Sequence, residues 1–403
     1  MRHVPTWVEV IQGIVLSVVA GVVFAILVRT RLRTPIHLQV ASCGSGVAKM
    51  HVVGSRGHPS FVVRASCAGN TCLWCIDTGY AGPLAMSYAW MLVSKTAKDV
   101  EQEDLDSLFQ KLSAKLETLK MTPDDKRIAL KGFMNDTHSH SFTAGCTTTM
   151  MGIGASTQMS SDMLLTHALV LEGPGGMMTT PRGCDASPPA EIMTTTDMPT
   201  PHIITIDWLR QVGPCVIEPF LGRLRTSLPV AEVLRMTQSF CKLKTTMSGG
   251  AFVAQVSVGG EEMALTVDTG AGVTIALSSQ AARRVRDCSR QRAQKAIQHG
   301  VTGETVCSDV VRCPVAFGDH KLRDCPVFFN DSEVEDADGY VGAGLLKQYD
   351  ILILHDALYV KKNGDASDLF VDDVTRGGEC KGGLATRCGT RSIPSRTVTP
   401  ITP

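Results

Sequence analysis

A mainly β chain built from two related lobes is the fold the sequence predicts, and three observations predict it. Phe61 to Ser87 and Phe252 to Ser278 lie over one another without a gap, at a constant offset of 191 residues. Within each copy, apolar residues alternate with others through two successive strands, the pattern of a hairpin with one buried face. Further on, "PHIITIDWLRQVGPCVI" (201–217) matches "DGYVGAGLLKQYDILIL" (338–354). Each of these has two apolar residues, a small residue, a short helix and a strand. A repeat of more than 100 residues in 403 marks an internal duplication.

In the first copy, "FVVRASC" forms one strand and "TCLWCID" the next, joined by a turn at Ala68-Gly69-Asn70. The second copy turns at Gly259-Gly260-Glu261 and returns along "EMALTVD". A helix is expected after each copy; in the second it is "ARRVRDCSRQRAQK", rich in Arg and read as a solvated face. The halves are unequal. From Asp77 to Ile203 is 126 residues, but from Asp268 to Tyr340 only 72. Two insertions in the first half account for most of this. One, Lys95 to Met121, carries Leu105, Leu108, Leu112, Leu116 and Leu119 at helical spacing. The other, Glu172 to Pro201, is rich in Pro, Gly, Thr and Met and is expected to be a loop.

The N-terminus has a different character. Trp7 to Val28 is a 22-residue apolar run whose strongly polar members, Glu9 and Gln12, sit near one end. That length spans a hydrocarbon core of ~30 Å. A cleaved signal peptide is the alternative. Its apolar region is normally shorter, and "RTRLRTP" stands where a small-residue cleavage site belongs. A single-pass anchor through residues 7–28 is therefore expected. Arg29, Arg31 and Arg33 outnumber Arg2 across it, which favours the cytoplasmic side for the bulk of the chain. The sequons Asn135-Asp136-Thr137 and Asn330-Asp331-Ser332 fit the lumenal alternative. The expected organisation is an anchor over 1–35, a first lobe with insertions over 36–225 and a linker over 226–248. A second lobe over 249–363 and a disordered tail over 364–403 complete it.

Composition narrows the chemistry. With 39 basic and 39 acidic residues there is no excess positive charge for nucleic acid. Fourteen cysteines do not form paired CxxC zinc modules. Cys72 and Cys75, three apart on a strand, point to opposite faces and are expected to be core thiols. Cross-strand bridges Cys67–Cys72 and Cys313–Cys325 are geometrically open, with free thiols favoured in a reducing cytosol. His138 and His140 lack a third ligand and are read as solvent-facing.

The chemistry centres on "CIDTGYAGP" (75–83) and "VDTGAGVTI" (267–275). One Asp-Thr-Gly arises by chance on the order of once in several thousand positions. Two copies in matching settings need a reason. Gly allows close backbone approach, and a buried Thr hydroxyl can lock two loops together. Loops related by a pseudo-twofold axis would bring Asp77 and Asp268 together. Adjacent carboxylates share a proton, which gives a general base for water beside a general acid for a carbonyl. One carboxylate alone cannot do both.

With these motifs, and with "GYVGAGLLKQYDILI" downstream, the chain resembles the retroviral-type aspartic peptidases over about 61–363. Their pepsin-like relatives resemble it less, since their first-lobe flap carries a Tyr. The resemblance implies two retropepsin-like β-barrel lobes fused as a pseudo-dimer. It makes Asp77 and Asp268 catalytic, supported by Thr78, Gly79, Thr269 and Gly270. Tyr340, Val341 and Gly342 would pack behind the second loop. A flap is implied at 298–306, with Val301, Thr302 and Gly303 at its tip, and a first-lobe counterpart at 131–143. The implied substrate is a polypeptide, cut by a monomeric pseudo-dimer with no metal or organic cofactor. Two departures stand out. Thr205 replaces Gly342's counterpart and Tyr80 replaces Ala271's, and either could widen or spoil the site. A non-catalytic peptide-binding module, or a homodimer of second lobes, is the alternative.

Overall fold

The computed structural model describes residues 46–55, 58–67, 70–82, 84–87, 122, 124–125, 128, 141–151, 156–166, 169–173, 178–179, 190–195, 202–285, 294–299, 305–330 and 337–363. All fall within one compact unit, Cys43–Pro403. The anchor expected at 7–28, the leucine stripe at 105–119 and the tail from 364 lie outside the described residues. Among the described residues, no helix is long and apolar enough to cross a membrane.

The first lobe begins with β1 (Gly46–Ser55), β2 (His58–Cys67), β3 (Asn70–Asp77) and β4 (Leu84–Ser87). It continues through β5 (Ser141–Met151), β6 (Ser156–Thr166), β7 (Val170–Glu172), β8 (Met178–Thr179), β9 (Ala190–Thr195) and β10 (His202–Thr205). Helix α1 (Ile206–Gln211) follows, then β11 (Cys215–Glu218) and β12 (Arg223–Thr226). The 226–248 segment is structured rather than a bare linker, with α2 (Val230–Ser239), β13 (Cys241–Lys242) and β14 (Thr245–Ser248). The second lobe contains β15 (Ala251–Val258), β16 (Glu261–Asp268), β17 (Ile275–Leu277), α3 (Ser279–Arg284) and β18 (Gln294–His299). It ends with β19 (Thr305–Phe317), β20 (His320–Phe329), β21 (Gly339–Gly342), α4 (Ala343–Leu346), β22 (Tyr349–Ile353) and β23 (Leu358–Lys362).

The duplication is visible in the pairing. In the first lobe the strand order runs β3-β10-β4-β9-β6-β5, and in the second β16-β21-β17-β20-β19-β18. In both, the strand that ends in the motif aspartate pairs in parallel with a late strand, β3 with β10 and β16 with β21. The expected loop at 172–201 is partly strand, and "AEIMTT" takes the place that β20 holds in lobe two. β9 pairs in parallel with β4 and antiparallel with β6. The second-lobe helix is shorter than expected: α3 stops at Arg284, and Gln294 and Lys295 belong to β18.

The lobes share a sheet. Its order is β13-β23-β22-β11-β12-β1, and the halves meet where Val216 lies opposite Leu352 on β11 and β22. One apolar core runs from Trp74, Ile76 and Phe61 in the first lobe to Val267, Leu265 and Phe252 in the second. α2 covers the shared sheet through Met236 and Phe240, packed with Val216 and Leu352. Cys72, Cys75 and Cys325 carry no disulfide, so neither of the two open cross-strand bridges forms, but Cys313, read as a free thiol, is disulfide-bonded.

Candidate active site

Strand alternation places the carboxylates. Ile76 and Val267 point into the common core, so the next residues, Asp77 and Asp268, emerge on the opposite face. Each Asp closes its strand and is half-buried. The loops that follow interlock. Thr78 N–H donates to Thr269 Oγ1 at 3.1 Å, and Thr269 N–H donates to Thr78 Oγ1 at 3.0 Å. Each hydroxyl in turn donates across the axis, Thr78 to Val267 O and Thr269 to Ile76 O, both at 2.7 Å. Both threonines are buried, so these four bonds satisfy groups that water cannot reach.

The glycines set how closely the loops approach. A Cβ on Gly79 would lie 2.5 Å from Asp268 Cγ, and one on Gly270 would lie 2.8 Å from Asp77 Oδ1. Each carboxylate therefore rests against the bare backbone of the opposite loop. Each is also held from its own side. Asp77 Oδ1 accepts from Gly79 N–H at 2.9 Å and Tyr80 N–H at 3.1 Å. Asp268 Oδ1 accepts from Gly270 N–H at 2.8 Å and Ala271 N–H at 3.0 Å.

Burial holds both carboxyls above the ordinary carboxylate range, Asp77 furthest because it also faces the charge of Asp268. The two side chains hydrogen-bond to each other. They titrate as one pair, with one proton held between them. Such a pair offers a base and an acid a few ångströms apart.

Behind the loops the lobes differ. Asp268 pairs with Gly342, and Asp77 with Thr205. In lobe two a Cβ at Gly342 would lie 2.5 Å from Ala271 O, so only glycine fits. Ala343 N–H donates to Ala271 O at 2.6 Å and Gly344 N–H to Val273 O at 3.0 Å. Lobe one keeps the first bond, from Ile206 N–H to Tyr80 O at 3.1 Å. It replaces the second with side chains. Thr205 Oγ1 donates to Gly82 O at 2.8 Å and accepts from Trp208 N–H at 3.3 Å as the N-cap of α1. Asp207 Oδ2 accepts from Gly82 N–H at 2.8 Å. The Thr205 hydroxyl thus acts as a clamp on Gly82. Asp207 had no place in the expected site. Its signal was legible, because it aligns with Gly344 in the repeat.

Tyr340 and Val341 divide as strand parity demands. Val341 joins the common core, while Tyr340 lies on the aspartate side with Ala271, Val273, Ala276, Val310 and Phe328. Asn330 Nδ2 donates to the Tyr340 hydroxyl at 3.5 Å.

Two hairpins hold equivalent places in the lobes. In β18–β19, His299 pairs with Thr305, and the tip candidates Val301, Thr302 and Gly303 lie outside the described residues. Of the first-lobe counterpart expected at 131–143, residues 131–140 lie outside the described residues. Ser141 to Thr143 start β5 and pair with Leu165 to Met163, at the far end from the turn. Pairing runs as far as Met151–Ser156, and residues 152–155 lie outside the described residues.

No family model matches the sequence, and no curated protein matches it. Among solved structures, the chain is similar to basic 7S globulin from soybean, with TM-score 0.43 and 10% identity over 79% of this chain and 95% of that one. It is similar to an aspartic proteinase from Irpex lacteus, with TM-score 0.40 and 10% identity over 80% of this chain and 98% of that one. It is also similar to a retropepsin-like aspartic protease from Rickettsia conorii, with TM-score 0.23 and 17% identity. There the match covers 30% of this chain and 89% of the other.

Proposed function

We propose that the chain is an aspartic endopeptidase, a fused pair of retropepsin-like lobes anchored in a membrane by residues 7–28 with its bulk on the cytoplasmic side. One observation carries the catalytic part. Two half-buried carboxylates are pressed together by loops that hydrogen-bond each other reciprocally, and both are raised above the ordinary range. A purely structural role has no use for this, because pairing two buried acids costs stability. The absence of a tyrosine between Ser141 and Thr166 supports retropepsin-like lobes over pepsin-like ones.

An extended polypeptide lies as a strand between the lobes and the two hairpins. The ionised carboxylate takes a proton from water as it attacks the scissile carbonyl carbon. The protonated one donates to the carbonyl oxygen, giving a neutral tetrahedral diol. Collapse of the diol moves a proton to the amide nitrogen and releases an amine and an acid. The pair ends with one proton, as it began. Cofactor chemistry has no place in these steps.

The test is cleavage of a mixed peptide library by the full chain, beside Asp77→Asn and Asp268→Asn. Loss of cleavage in both, with block by a statine-type inhibitor, is the expected result. Cleavage that survives Asp77→Asn and grows with protein concentration would mean a dimer of second lobes. Peptide binding without cleavage at any pH would make the chain a binding module instead.

A further inference from the structure

The two sides of the site differ in one exchange of bulk. Repeat alignment pairs Tyr80 with Ala271, Ala85 with Ala276, and Ile203 with Tyr340. In lobe two the residue after Asp-Thr-Gly is a buried alanine at 5% exposure, and the tyrosine stands behind it on β21. In lobe one the tyrosine has moved onto the loop itself, half-buried, and an isoleucine takes its place on β10. Tyr80 N–H donates to Asp77 Oδ1, so its side chain begins one residue beyond the glycine that meets the opposite carboxylate.

The loop that carries Tyr80 is fixed. Gly82 has φ of 131°, a conformation open to glycine and strained for other residues. A Cβ there would lie 3.8 Å from the Tyr80 hydroxyl, so the phenol end lies over Gly82. Thr205 and Asp207 grip Gly82 by its carbonyl and its N–H. On the far side, Ala81 abuts the β14–β15 turn, where a Cβ on Gly250 would lie 2.5 Å from Ala81 Cβ. The loop is held between α1 and the second lobe, and Tyr80 cannot swing aside by moving its backbone.

We propose that Tyr80 is a specificity-determining residue, filling the subsite beside Asp77 so that the substrate side chain packed against the Tyr80–Gly82 loop must be small. This rests on the endopeptidase reading. At the equivalent position in lobe two, Ala271 presents only a methyl group, packed among Val273, Ala276, Val310, Phe328 and Tyr340. The favoured substrate is an extended, directional segment with Gly, Ala or Ser at the position beside Tyr80.

The experiment profiles peptide-library cleavage by the full chain, by Tyr80→Ala and by Tyr80→Phe. Statine peptides bearing Ala or Leu at the affected position give a parallel binding measurement. Wild type and Tyr80→Phe are expected to select a small residue at one position. Tyr80→Ala is expected to raise the Leu-to-Ala ratio of kcat/KM there at least tenfold, with the preference across the cut unchanged. The converse variant, Ala271→Tyr, should impose a small-residue preference on the other side. Identical profiles for wild type and Tyr80→Ala would overturn the subsite and leave the endopeptidase standing. Neither cleavage nor statine binding by folded wild type would overturn both.

Discussion

Thr78 and Thr269 hold one another reciprocally, each hydroxyl accepting the other's N–H while donating to the carbonyl that precedes the opposite aspartate. Replacing either by alanine strands an N–H and a carbonyl in a buried place, at about 1–3 kcal/mol for each group. Thr78→Ala and Thr269→Ala are each expected to lose roughly 2–5 kcal/mol in urea unfolding, while Thr→Ser stays within about 1. An unchanged midpoint in either alanine variant would remove the interlock from the account of stability.

Gly79→Ala and Gly270→Ala should separate loss of activity from loss of fold. The added methyl meets the opposite carboxyl rather than the core, so the carboxylates must part. A displacement of about 1 Å at reacting groups costs on the order of 100-fold in rate. Circular dichroism near that of wild type, with kcat/KM lowered by about that factor, is the expected outcome. Full activity in either variant would contradict the close approach.

Two buried titrations oppose each other. His202 is fully buried, stacked 4.9 Å from Trp74, and its Nδ1 accepts from Ser87 N–H at 3.2 Å. Burial pushes its pKa from 6.5 down to about 3. Between those values the unfolded chain binds the extra proton, so stability falls as pH falls, by up to about 1.4 kcal/mol per pH unit. The aspartate pair works in the other direction. Its raised folded-state pKa values reduce stability as pH rises from 3.8. Unfolding midpoints across pH should show His202→Gln flatter than wild type below pH 6.5. Parallel curves would discharge His202 from this role. The same raised pair should keep its shared proton, and so its activity, further toward neutral pH than ordinary carboxylates would.

Asp207 should behave as a positioning residue. Asp207→Ala removes a charged acceptor from Gly82 N–H, and Arg210 loses its partner 3.4 Å away. A loss of about 1.5–3 kcal/mol is expected, with partial rescue by Asn, which keeps an oxygen acceptor. In Asp207→Ala, kcat should fall while KM changes little. A KM effect alone would place Asp207 in substrate binding instead.

The duplicated core of the site was legible because its physics admits few residues. A carboxylate, a hydroxyl that locks loops and a glycine that admits an opposing side chain leave little choice at 77–79 and 268–270. The first-lobe hairpin was not legible, since strand pairing between 141–151 and 156–166 depends on partners distant in sequence. The β9 strand was hidden likewise in a Thr-, Pro- and Met-rich stretch, where its partners β4 and β6 override local preference. Thr205 was visible as a departure, but its compensation, a hydroxyl bond to the Gly82 carbonyl, was not. That compensation lies in two positions 123 residues apart.

The sheet shared through β11 and β22 also bears on how such a site can change. A symmetric pair of identical chains receives every substitution twice, so a ring placed beside one aspartate appears beside both. Here the halves lie in one chain, with Tyr80, Thr205 and Asp207 on one side where Ala271, Gly342 and Gly344 stand on the other. Within one chain the two sides need not match, and the molecule has a fixed left and right.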